Sequence, residues 1–207
     1  MSQFFRIHPE NPQIRLIHQA VDIIRRGGVV VYPTDSAYAL GCHIGDKSAI
    51  EKIRGIRRLS SKHNLTLVCR DLSDLGVYAK VDNTAYRQIK AATPGPYTFI
   101  LPATKEVPRR LVHPKRKTIG LRVPDNPICM ALLAELGEPM MSTTLILPGD
   151  EYPLSDPIEI RDLLEHQVEL IVDGGFGGLE PTTVVNLEEG VPEIIRAGCG
   201  DTALFST

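Results

Sequence analysis

Apolar residues along this chain switch repeatedly between a helical period and a strand period, and that alternation limits the fold more than any other feature. Leu16, Ile17, Ala20, Val21, Ile23 and Ile24 recur at helical spacing over Ile14–Arg26. Gly27-Gly28 stops that helix, and the β-branched run Val29–Tyr32 predicts a buried strand ended by Pro33. Further helices are expected after Asp46 as N-cap (Ile50, Ile53 and Ile56 on one face), over Asn83–Ala92, over Pro127–Leu136 between Asn126 and Gly137, and from Pro157 to Leu164 behind Asp156. Strands are expected at Leu65–Cys69, Tyr97–Leu101, Thr118–Val123, Met140–Leu147, Val168–Val172, Thr182–Leu187 and Glu193–Arg196. Interleaved helices and strands give the α/β or α+β class with a mixed sheet. The 207 residues suit a single domain, 1–207, with no internal repeat or linker; the loop Pro148–Pro157 comes nearest to a hinge.

Aromatic residues make up 5% of the chain and Trp is absent, so the core must be mainly aliphatic. A net charge of −2 exerts no global pull toward nucleic acid or anionic membrane. The N-terminus MSQFFRIHPENP holds no run of signal-peptide type, and no stretch reaches the ~18 apolar residues of a membrane span. Cys42, Cys69, Cys129 and Cys199 are far apart and form no CxxC, so four free thiols and a cytoplasmic location are expected. GxxxxGK[ST], GxGxxG and GxSxG are missing. The histidines lack ligand spacing, so no metal site is expected. The glycine-rich stretch Asp173–Gly178 is read as a tight turn between two strands rather than a phosphate cradle.

Two features carry chemistry. Lys105–Lys117 is basic at Lys105, Arg109, Arg110, Lys115, Arg116 and Lys117 against Glu106 alone. Arg54, Arg57, Arg58 and Lys62 form a second basic cluster. A solvated surface and a phosphate-contacting patch are equally good readings of either. Secondly, hydroxyl residues stand beside glycine or proline at several strand ends: Thr34, Thr98, Thr118, Ser142-Thr143-Thr144 and Thr182-Thr183. Ligands of open α/β folds sit at strand ends. Short hydroxyls there, with Arg122 and Arg196 to clamp anions, point to an anionic or zwitterionic small molecule.

The segments GGVVVYPTDSAYALGC, TPGPYTFILPA, TIGLRVPDNPI, PMMSTT and PTTVVNL, in that order, resemble the YrdC/YciO family, which includes the L-threonylcarbamoyladenylate synthases. The resemblance runs from about Gly28 to Gly198, and its overall look is nearest the YciO branch. It implies a twisted mixed sheet flanked by helices, YrdC/RibB-like, with a positively charged concave face. It also implies a site where L-threonine, bicarbonate and ATP with Mg2+ give threonylcarbamoyl-AMP for tRNA modification. Matched by motif, Thr34, Arg122, Ser142 and Thr182 fall where the synthases hold threonine. Arg57, Thr118, Thr144 and Arg196 fall on the nucleotide side.

Two positions depart from the synthase pattern. A KxR motif becomes Arg57 and Leu59, and SxN becomes Thr144 and Ile146. A cation and an amide donor are lost, which argues for weak or redirected synthase chemistry rather than for loss of ligand binding. The alternative function is binding of double-stranded RNA, tRNA or the ribosome through Arg109, Arg110, Lys115, Arg116 and Lys117. A third reading is a nucleotide-binding sensor without catalysis.

Overall fold

The computed structural model describes residues 1–60, 63 and 65–205. Ten strands form one mixed sheet: β1 Gln3–Arg6, β2 Val30–Tyr32, β3 Ala39–His43, β4 Thr66–Val68, β5 Tyr97–Pro102, β6 Thr118–Arg122, β7 Met140–Thr144, β8 Leu170–Asp173, β9 Thr183–Asn186 and β10 Glu193–Arg196. Their spatial order is β1-β8-β2-β3-β7-β4-β6-β5-β9-β10. The pairs β1–β8, β8–β2, β4–β6 and β5–β9 are parallel, and the rest are antiparallel. The helices are α1 Ile14–Arg25, α2 Lys47–Arg57, α3 Leu72–Tyr78, α4 Asn83–Ala92, α5 Pro127–Leu136 and α6 Pro157–Leu164.

Local chemistry sets the helix starts. Asp46, Asn126 and Asp156 cap α2, α5 and α6 as expected, each accepting a backbone N–H in the first turn. Such caps contribute ~1 kcal/mol each. Three elements go beyond the sequence expectation. β1 is a short, half-exposed edge strand with a weak period. β3 contains Gly41 and Ala39, which lack strand propensity. α3 carries Gly76 in its interior, which hides its helical pattern, although Asp71 caps it through the Ser73 and Asp74 N–H groups.

Strand alternation sends side chains to two faces. On one, the apolar sides of α2, α3, α4 and α6 bury Val31, Leu40, Leu67, Phe99, Leu121 and Met141. On the other, α1 and α5 cover the β8–β2–β3 end, over Val30, Tyr32, Ala39 and Val172, and their cluster reaches Met140 on β7 and Val68 on β4. Beyond these residues the second face opens into a cavity lined by residues of β7, β4, β6, β5 and β9, and this opening positions the site.

The tight turn expected at Asp173–Gly178 is not formed, because six strands separate β8 from β9 in the sheet. The glycine stretch instead packs beneath the β2–β3 loop. The Tyr38 hydroxyl donates to the Gly175 carbonyl at 2.6 Å and accepts from the Gly174 N–H at 3.1 Å. Glycine is required because a Cβ on Gly178 would fall 1.9 Å from the Ser36 carbonyl oxygen. The four cysteines are free, with Cys199 exposed. Among the described residues no helix is long and apolar enough to cross a membrane, and no cluster of three or more His, Cys, Asp or Glu side chains is placed to hold a metal.

Candidate functional site

Register builds the floor of the open face. Gly41, Ser142, Thr66, Gly120 and Ile100 lie in one row across β3, β7, β4, β6 and β5, each paired with the next. Around this row is a cavity of about 510 Å³. Its walls carry hydroxyls of Ser142, Thr144, Thr98 and Thr182, the guanidinium groups of Arg57, Arg122 and Arg196, and apolar Val184, Ile195 and Ile146. Three arginines with no acidic side chain among the lining residues make a site for an anion.

Each arginine is held differently. Arg122, at the end of β6, is 7% exposed in its side chain and pairs with Asp35, which is 9% exposed. Its Nη2 also donates to the Thr34 and Ser36 hydroxyls at 3.1 and 2.9 Å. Asp35 accepts the Asp125 N–H at 2.9 Å, which ties the two loops together. Arg122 Nε is buried and has no hydrogen-bond partner among the described residues. Arg196 donates through Nε and Nη2 to the Thr182 carbonyl at 3.2 and 2.8 Å. Thr182 Oγ1 in turn meets Thr98 Oγ1 at 2.9 Å. Arg57 donates to the Ile146 carbonyl, and its Nε is another buried atom without a partner among the described residues. Burial, and then the charge of Arg196, hold the Arg57 pKa below the usual guanidinium value. Burial lowers that of Arg196. His63 is also lowered, by burial and then by Arg57, Arg54 and Arg196.

Six of the eight small-molecule residues named from sequence line this cavity: Arg57, Arg122, Ser142, Thr144, Thr182 and Arg196. Thr34 sits behind Arg122, its hydroxyl donating to the Ala37 carbonyl at 2.6 Å and accepting from the Ser36 and Ala37 N–H groups at 3.2 Å. Thr34 therefore shapes the loop and orients Arg122. Thr118 is 1% exposed, with no partner for its hydroxyl among the described residues, and lies outside the lining. Sequence reasoning missed His63 and Thr66, which a period-2 reading of β4 finds for Thr66, and Tyr32, which reaches Ser142 from two strands away.

The basic clusters divide. A groove of about 1400 Å³ lies between α2 and the 103–117 segment, lined by Arg54, Lys105, Arg109, Arg110 and Lys117. Val107 and Leu111 anchor that segment in the core. Arg116 instead lines a smaller hollow with Glu188, Glu189 and Glu193. Lys115 is exposed and belongs to neither. Lys62 lies outside the described residues.

The model of the Sua5/YciO/YrdC family, described as telomere recombination, matches residues 22–198. The chain belongs to the Sua5/YciO/YrdC family. Escherichia coli YciO is 62% identical over 205 residues, covering 99% of this chain and all of that one. Its crystal structure superposes with a TM-score of 0.97 over the full length of both. A threonylcarbamoyl-AMP synthase of Vibrio vulnificus is 32% identical over 164 residues, 78% of this chain and 87% of that one. The structure of P. abyssi Sua5 complexed with L-threonine is 26% identical, with a TM-score of 0.87, covering 95% of this chain and 58% of that one. The two departures from the family's synthase pattern line different cavities. Ile146 lines the cavity, where its carbonyl accepts from Arg57, while Leu59 lines the basic groove.

Proposed function

We propose that this Sua5/YciO/YrdC member holds L-threonine and ATP together in the cavity and forms threonylcarbamoyl-AMP, at a rate lowered by Ile146, which lines that cavity. The observation that carries this reading is the trio Arg57, Arg122 and Arg196 around a hydroxyl floor without a lining acid. Bicarbonate and the threonine amine give a carbamate with loss of water. A carbamate oxygen then attacks the α-phosphorus, and pyrophosphate leaves with the electron pair of the broken P–O bond. Arg122, which lines the cavity, suits the threonine carboxylate, as Ser142 and Thr182 suit polar atoms of the same molecule. Arg57 and Arg196 suit phosphate, with magnesium arriving on ATP. One missing preorganised donor lowers such a rate by about 10²–10³. The product is an activated carbamoyl adenylate, and its use in tRNA threonylcarbamoyladenosine belongs to the same proposal. Incubation with threonine, bicarbonate and Mg–ATP should release pyrophosphate faster than an Arg196→Ala control. Equal rates would leave a nucleotide-binding protein if ATP still binds by calorimetry, and would remove both readings if it does not.

His63 supplies a pH prediction. Its pKa lies below 6.5 because of burial and three arginines. An anion between Arg57 and Arg196 offsets their charge and raises that pKa, so binding takes up a proton. Affinity for sulfate, which does not itself titrate here, should rise severalfold from pH 8 to pH 5.5. The rise should vanish in His63→Asn. An unchanged pH dependence in that variant contradicts the placement of His63 at the anion.

A second reading rests on the groove. Arg54 joins Lys105, Arg109, Arg110 and Lys117 there, and no aromatic side chain lines it among the described residues. Cations without stacking platforms suit the phosphates of double-stranded RNA, including structured tRNA or ribosomal RNA, better than exposed bases. RNA affinity should fall steeply with salt and weaken in Arg109→Ala/Arg110→Ala. A flat log–log salt plot excludes it.

A further inference from the structure

Ser142, in the cavity floor, is held from the side by another buried side chain on the same face of the sheet, which reaches it across an intervening strand. Tyr32, on β2, lies two strands from Ser142, on β7, with β3 between them. Its fully buried ring crosses β3 over Gly41, and its hydroxyl lies 2.6 Å from Ser142 Oγ. The crossing needs glycine, since a Cβ on Gly41 would stand 2.7 Å from the ring edge. Ser142 is itself 4% exposed and faces the cavity.

The direction of this hydrogen bond follows from bookkeeping of donors. Tyr32 Oη has no hydrogen-bond partner other than Ser142 among the described residues. If Ser142 donated, the phenol proton would be stranded in a fully buried place, at a cost of ~1–3 kcal/mol. A phenol is also the better donor and the poorer acceptor of the two. Burial drives the Tyr32 pKa far upward, so the phenol keeps its proton at every relevant pH.

We infer that Tyr32 is a positioning residue that donates to Ser142 and thereby turns the serine proton into the cavity, so that Ser142 meets its ligand as a donor and selects an acceptor there, a carboxylate or phosphoryl oxygen. Because it rests on the threonine reading for its choice of ligand, it orients the amino acid with its carboxylate toward Ser142 and Arg122 and its amine away from them. The amine is then free to become the carbamate.

Two measurements test this, one of them independent of any ligand. In proton NMR of the unliganded protein, the Tyr32 hydroxyl proton should give a slowly exchanging downfield resonance. It should be lost in Tyr32→Phe and shifted in Ser142→Ala. Absence of that resonance, or no shift in Ser142→Ala, overturns the inference whatever the protein binds. In calorimetry, Tyr32→Phe should weaken threonine about tenfold, the equivalent of one neutral hydrogen bond. It should have no further effect in a Ser142→Ala background, which a merely structural role would not produce. Gly41→Ala, which displaces the intact ring, should give the same loss if Tyr32→Phe fails to fold. An undiminished affinity in these variants overturns the inference. No threonine binding by the unaltered protein overturns the threonine reading instead, and the resonance still decides Tyr32.

Discussion

Arg122→Met is expected to abolish threonine binding and to lower the stability of the folded protein by about 3–5 kcal/mol, the effect of leaving one half of a buried ion pair without its partner. Both partners are shielded, at 7% and 9% exposure, so water cannot replace the guanidinium at Asp35. The same substitution removes the donor that Thr34 and Ser36 share. Stability and binding separate in the double variant Arg122→Met/Asp35→Asn. Removing both charges should recover much of the stability, although Asn must still take the Asp125 N–H that Asp35 accepts. Binding should not recover, since no cation is restored. Urea unfolding and calorimetry on the two variants read these effects. An Arg122→Met protein with unchanged unfolding would mean that the pair contributes nothing to the fold. A double variant that regains threonine affinity would exclude Arg122 as the carboxylate partner.

Much of the site was legible because its members sit on strands whose period is easy to read. Ser142 and Thr144 on β7 and Thr98 on β5 point to one face by alternation alone. The helices were legible where a cap and an apolar stripe coincide, as at Asp46 and Asn126. What escaped depends on strand order, which no local pattern encodes. β3 passes between β2 and β7, so Tyr32 meets Ser142 across 110 positions of sequence. The glycine stretch after β8 looked like a turn because its chemistry suits one; its long course past Ser36 became visible only once β9 was placed six strands away. Likewise the basic residues of α2 look like one cluster in sequence. Arg54 lines the groove and Arg57 the cavity, although i,i+3 spacing makes them neighbours on α2, so the two sites meet at that helix end.

The Arg196 end of the cavity depends on a glycine that the motifs do not mark. The chain after β10 lies flat against Pro181–Thr183. The Cys199 N–H donates to the Pro181 carbonyl at 3.0 Å, and the Gly198 N–H donates to Thr183 Oγ1 at 3.0 Å. A Cβ on Gly198 would stand 2.2 Å from the Pro181 oxygen and 2.6 Å from the Thr182 carbonyl, all of it backbone that cannot swing aside. Gly198→Ala must therefore push the two segments apart. That shift takes the Thr182 carbonyl away from Arg196, whose guanidinium is held there by two donors, and the anion clamp loses its aim. The expected cost is ~1–3 kcal/mol of stability from overpacking, together with more than a tenfold loss of ATP affinity. Gly76→Ala makes the opposite case with the same chemistry. Its added Cβ meets nothing within 4 Å, inside α3, so stability should rise by about 0.5–1 kcal/mol with ATP affinity unchanged. If Gly198→Ala bound ATP as the unaltered protein does, the segment behind Arg196 would have no part in holding phosphate, and the nucleotide would have to be placed against Arg57 and His63 alone.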